Sequence, residues 1–92
     1  MKYHLSFGAK FKRDYKSIRK RGLPVDVMAN VIKLLENDGK LPEKYHPHKL
    51  SGNYINCWEC HLRPGWLLIW ECEDILNEIR MICTGTHSDL FK

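Results

Sequence analysis

The chain has 92 residues and a formal net charge of +4, with 43% hydrophobic and 28% charged residues. That composition fits one soluble domain, residues 1–92, with a single core. It has no apolar run of the length a membrane helix needs, and the opening MKYHLSFGAKF has neither an apolar h-region nor a small-residue cleavage site. A cytoplasmic protein with no membrane partner is expected, its four cysteines held as reduced thiols.

In chain order, Lys2–Phe7 alternates Tyr3, Leu5 and Phe7 with polar neighbours and predicts a short strand. From Gly8 the period changes. Phe7, Phe11, Tyr15 and Ile18 recur at helical spacing. The other face carries the basic run Lys10, Lys12, Arg13, Lys16, Arg19, Lys20 and Arg21, which suits phosphates or an acidic protein, or simply solvent. Gly22 is a helix stop and Pro24 a helix start. Val27, Val31, Leu34 and Leu35 form the stripe of a second helix, closed by Gly39. Lys40–Asn53 reads as a polar loop. Three strand-like runs follow: Tyr54–Leu62, Trp66–Cys72 and Ile75–Thr84. They are joined by turns at Arg63-Pro64-Gly65 and Glu73-Asp74, short enough to make neighbours antiparallel. Ser88–Phe91 has room for one helical turn. The order β-α-α-β-β-β predicts an α+β fold, two N-terminal helices packed on a small, mainly antiparallel sheet.

Four of the five histidines fall in two stretches: His46, His48 and His61 in HPHKLSGNYINCWECHLRPGW (46–66), and His87 in TGTHSDLF (84–91). Imidazole both takes and gives protons near neutral pH. Alternation along Tyr54–Leu62 puts Ile55, Cys57, Glu59 and His61 on one face, with Glu59 and His61 roughly 6.5–7 Å apart. A bowl made of this face, the preceding loop and the C-terminal tail would gather His48, Glu59, His61 and His87. The same stretch contains C-x-x-C-H, a haem-attachment or half-zinc pattern. A strand sends Cys57 and Cys60 to opposite faces, so they are read as small buried hydrophobes instead.

Three segments together resemble the YafQ-like toxins of the RelE/ParE superfamily. They are H-x-L-x-G (His48, Leu50, Gly52), H-x-x-P-x-W (His61, Pro64, Trp66) and T-G-T-H-x-x-L-F (Thr84 to Phe91). The resemblance implies the RelE-like microbial RNase fold and the toxin half of a type II toxin–antitoxin pair: a ribosome-dependent endoribonuclease that cuts mRNA with no cofactor or metal. Its implied partners are a cognate antitoxin of ribbon-helix-helix type, the ribosome and mRNA, with operator DNA met only through the antitoxin complex. Carried over, His48, His61 and His87 fall on catalytic histidines, His87 as general acid. Phe91 falls on a C-terminal aromatic that helps hold the substrate and Trp66 on the tryptophan after the turn; both are candidates to stack an unpaired base. Glu59 stands where relatives have aspartate. Gly65 and Cys83 stand where they have a carboxylate and an arginine, so Lys49, Arg63 and Arg80 are the local phosphate-binding candidates. The resemblance leaves the base open between His48 and His61. Other readings keep the fold but make the chain a catalytically weakened module that binds antitoxin and DNA, or a stand-alone RNA-binding domain.

Overall fold

The structure is a computed structural model and describes residues 2–91. Its sheet is built from β1 (His4–Phe7), β2 (His48–Lys49), β3 (Cys57–Arg63), β4 (Trp66–Glu73) and β5 (Glu78–Thr86). The spatial order is β1-β5-β4-β3-β2. Every neighbour is antiparallel except β1, which runs parallel to β5. Two helices, α1 (Ala9–Lys20) and α2 (Val25–Asp38), cover one face, and α3 (His87–Leu90) is a single turn after β5. This is the expected α+β layering.

Local sequence explains these elements. On α1, Phe11 and Ile18 recur seven apart and are buried, while the lysines and arginines face outward. Met28, Val31 and Leu35 form the buried stripe of α2. The helix stops at Gly39, whose backbone is left-handed (φ 72°) and donates to the Leu35 carbonyl at 2.8 Å. A Cβ there would run into the Tyr3 ring, so the position requires glycine for both reasons. The helices pack on Cys60, Leu62, Trp66, Leu68, Trp70, Ile79 and Met81. On the far side, Cys57, Ile69 and Cys83 form a second, smaller cluster. Central β4 is therefore apolar on both faces, as a middle strand should be.

Three boundaries differ from the sequence reading. The strand expected from Tyr54 begins at Cys57. Gly52–Tyr54 forms a 3₁₀ turn, and Asn56 turns left-handed (φ 72°), leaving Ile55 exposed rather than on the Glu59 face. The expected tight Glu73-Asp74 turn is a four-residue turn, 74–77, with Asn77 left-handed (φ 53°). Ile75 and Leu76 project from it into solvent instead of opening a strand. The polar loop also contributes β2, two residues long. Among the described residues no helix is long and apolar enough to cross a membrane.

Candidate active site

The sheet face away from α1 and α2 carries the histidines. Alternation along β3 sends Cys57, Glu59 and His61 to it and turns Trp58, Cys60 and Leu62 toward the helices. The β2–β3 register sets His48 directly opposite Glu59, so the two side chains meet on one face. His48 Nε2 lies 3.1 Å from Glu59 Oε1. The Glu59 side chain is 8% exposed and the imidazole 48%, so a buried carboxyl group is matched by a half-open ring. On its other side, His48 Nδ1 lies 2.9 Å from the His46 carbonyl. Both neighbours are acceptors. Both contacts become hydrogen bonds when each ring nitrogen carries a hydrogen, an assignment made from the partners. The His61 ring stands 6.3 Å from His48 and 5.8 Å, edge-on, from His46, centre to centre.

The tail reaches the same face. His61, Leu67 and Gly85 are in register across β3, β4 and β5, and His87 follows Gly85 by two residues. Leu90 and Phe91 pack on Cys57, Ile69 and Cys83 together with Leu50 and Tyr54. The Phe91 ring is 4.9 Å from His87 and 5.7 Å from Tyr54.

The first three residues of T-G-T-H each have a structural task. Buried Thr84 accepts from the Trp66 indole N–H at 2.9 Å and donates to the Leu67 carbonyl at 2.7 Å. Gly85 lets Asp89 pack where a Cβ would stand, 2.9 Å from Asp89 Cβ. Thr86 caps α3 in a reciprocal box with Asp89: its Oγ1 accepts from the Asp89 N–H at 3.2 Å, and its own N–H donates to Asp89 Oδ2 at 2.8 Å. Arg21 adds two donors to that oxygen, at 2.9 and 3.0 Å. The Thr86 N–H first, and then Arg21, pull the Asp89 carboxyl down to about 2.

Three expected substrate contacts, Trp66, Lys49 and Arg80, are corrected. Trp66 is 2% exposed on the helix side with its N–H bound to Thr84, so its ring packs the core and offers no surface to a base. Lys49 pairs with Trp58 and holds its ammonium 5.8 Å from that ring's centre, on the face opposite His48. Arg80 is in register with Glu71, two same-face steps from the row of His61 and Gly85 and away from His87. Arg63 is exposed just past the β3 irregularity and borders the site.

Cys57 and Cys60 belong to different clusters on opposite sides of the sheet, as their spacing predicts. Burial raises the Cys60 thiol to about 12 and the Cys72 and Cys83 thiols to about 11. Among the described residues no three His, Cys, Asp or Glu side chains are placed to hold a metal ion.

Sequence reasoning gave no role to Tyr54 or Asp89, counted His46 only as one of the clustered histidines, and placed Arg21 only in the basic run. A signal existed for Asp89, because T-x-x-D is a capping-box spacing. Nothing in the sequence joins it to Arg21, 68 residues away.

Comparison with known proteins points one way. The family model described as the bacterial toxin of type II toxin–antitoxin systems, YafQ, matches residues 3–92. The mRNA interferase toxin YafQ of Escherichia coli K12 is 31% identical over 88 residues, spanning 95% of this chain and 94% of that protein. The crystal structure of YafQ from E. coli BL21(DE3) superposes with a TM-score of 0.91 at 27% identity, covering 98% of this chain and 99% of that one. The toxin in the E. coli DinJ–YafQ toxin–antitoxin complex gives 0.90 at 28% identity, with both chains covered completely.

Proposed function

Because this chain belongs to the YafQ family of bacterial type II toxins, it is an endoribonuclease of the mRNA interferase class, and we propose that it cuts message on the ribosome by metal-free acid–base catalysis with His48, Glu59, His61 and His87. Residues 1–92 act as one toxin domain in the cytoplasm. A cognate antitoxin of the ribbon-helix-helix type holds it inactive, much as DinJ is found in complex with YafQ. Operator DNA is met only through that complex.

The observation that carries the mechanism is the pairing of His48 with buried Glu59 beside His61, on the face that the tail aromatics also reach. Cleavage needs a base for the 2′-hydroxyl, charge to steady the phosphorane and an acid for the departing 5′-oxygen. His61 is the better base. Both nitrogens of His48 already face protein acceptors, whereas His61 meets its neighbouring histidines only through its ring. His48, fixed between Glu59 and the His46 carbonyl, supplies positive charge. His87 gives the proton to the leaving oxygen. The products are a 2′,3′-cyclic phosphate and a 5′-hydroxyl. Phe91 holds an unpaired base, and Arg63 is the nearest guanidinium for phosphate.

Message cleavage by His87→Ala on translating ribosomes should fall on the order of 10²–10⁴-fold, and growth arrest should be relieved. In pH–rate profiles, His61→Ala should remove the loss of activity on the acid side and His48→Ala should retain it. The opposite pattern reassigns the base. Unchanged cleavage by His87→Ala removes the acid.

A weakened, mainly antitoxin-binding member is the second reading. It is favoured by Cys83, fully buried with its thiol pushed up to about 11, so it contributes no charge where a cation is expected. Expression of this chain alone decides: a working toxin halts translation, a binding module does not.

A further inference from the structure

The mechanism uses His61 and Arg63 but not the groove that opens beside them. An open groove of about 840 Å³ runs from His61 around the end of β3 to the start of α2. Lys44, His46 and Arg63 line it with Tyr45 and Pro64, and none of the described residues lining it is acidic. Its size falls within the roughly 300–1,000 Å³ of small-ligand sites.

Local structure explains how the groove is made. The 3₁₀ turn Glu43–Tyr45 packs against β3 and ends at His46, which turns left-handed (φ 51°). A non-glycine residue in that region is uncommon, costs free energy and often marks a functional site. At His46 the turn aims one residue at both site histidines, its carbonyl toward His48 Nδ1 (2.9 Å) and its ring edge toward His61 (5.8 Å). The groove is therefore continuous with the place where the scissile phosphate must sit. Lys44 Nζ stands 5.2 Å from the Tyr45 ring centre, so a cation and an aromatic occur together. That pairing suits single-stranded nucleic acid: charge for the phosphodiester, a ring for the base.

We propose that this groove binds the single-stranded RNA nucleotide adjoining the cleaved bond, with Lys44 and His46 on its phosphate and Tyr45 against its base. The inference rests on the nuclease reading for its substrate. It makes Lys44, His46 and Tyr45 binding residues with no part in proton transfer.

The test is fluorescence anisotropy with a labelled trinucleotide whose 2′-hydroxyls are methylated, so that it binds without being cut. Lys44→Gln should weaken binding about 3–10-fold at low salt and reduce the slope of log affinity against log salt by about 0.7, one phosphate contact on a single strand. His46→Asn keeps a residue that tolerates the left-handed backbone and should act in the same direction. Tyr45→Leu should weaken binding and leave the slope unchanged. Matched thermal melts show that each variant is folded. The groove assignment is overturned if wild-type protein does not bind the trinucleotide, or if folded Lys44→Gln matches wild type in affinity and slope. Failure of wild-type protein to cut message on ribosomes would instead overturn the nuclease reading, and the trinucleotide would still decide whether the groove binds RNA.

Discussion

Glu59 is a buried carboxyl group whose partner is an imidazole half in solvent, so its value lies in what it does to His48. Charge-assisted hydrogen bonds of this kind contribute about 1.5–3 kcal/mol. Glu59→Gln should therefore lower single-turnover cleavage on the order of 10–100-fold. Combined with His48→Gln it should cost little more than either change alone, because the pair works as one unit. Additive losses would separate the two residues. Asp89 offers a test by pH. Its folded value of about 2 lies below the ordinary 3.8, so its stabilisation is full above about pH 4 and lost as pH falls through about 2. Asp89→Asn should melt below wild type at pH 5, with the gap closing steadily toward pH 2. A gap independent of pH would mean that the charge does not matter. At this scale the sequence revealed much: period-two alternation was enough to place Glu59 and His61 together. It misplaced Lys49, because β2 has only two residues and too few alternations to reveal a face. It misread Trp66 because burial of an indole depends on the partner strand that supplies Thr84.

At the scale of elements, α3 needs explaining. Four residues do not hold a helix by themselves, since nucleation is unfavourable. The turn is kept by the Thr86–Asp89 box, by Arg21 reaching over from the end of α1, and by Phe91 on the second cluster. The Arg21–Asp89 pair is exposed, about 40% on each side, so its share of global stability is about 0.2–1 kcal/mol. Its larger effect should be local. Arg21→Ala should speed amide hydrogen exchange in residues 87–91 and leave β4 and β5 protected. It should also lower kcat, because His87 rides on that turn. Unchanged exchange in the tail would show that the Thr86–Asp89 box and Phe91 hold it without Arg21. The helices were legible from periodicity and from their glycine and proline ends. The end of β1 at Phe7 and the start of β4 at Trp66 were legible too; the starts of β3 and β5 were not, because left-handed Asn56 and Asn77 precede them with a backbone geometry that an apolar pattern does not record. Nor was the parallel pairing of β1 with β5 legible, since strand order is a property of the closed sheet.

At the scale of the whole molecule, charge is divided by sign. Of the seven basic residues in 10–21, Lys10 pairs with Asp14 and Arg21 with Asp89. Lys12, Arg13, Lys16, Arg19 and Lys20 face solvent on α1. Acidic Glu71, Glu73, Asp74 and Glu78 gather instead around the β4–β5 turn. Such a distribution orients the protein as it approaches a polyanion, and the basic helix would lead. The ribosome is the polyanion that the proposed reaction requires. Replacing Lys12, Arg13, Lys16 and Lys20 together by glutamine should therefore weaken association with ribosomes. It should also flatten the dependence of log affinity on log salt by up to about 3, near 0.7 for each phosphate no longer neutralised. Exposed substitutions of this kind shift stability by only about 0.5 kcal/mol each, so a melting temperature close to wild type would assign the weaker binding to charge. The trinucleotide, which on the groove proposal meets Lys44, Tyr45 and His46 but not α1, should bind this variant as well as it binds wild type. If ribosome affinity and its salt slope stayed at wild-type values, the basic face of α1 would be a solvated surface, and grip on the ribosome would have to come from the histidine face alone.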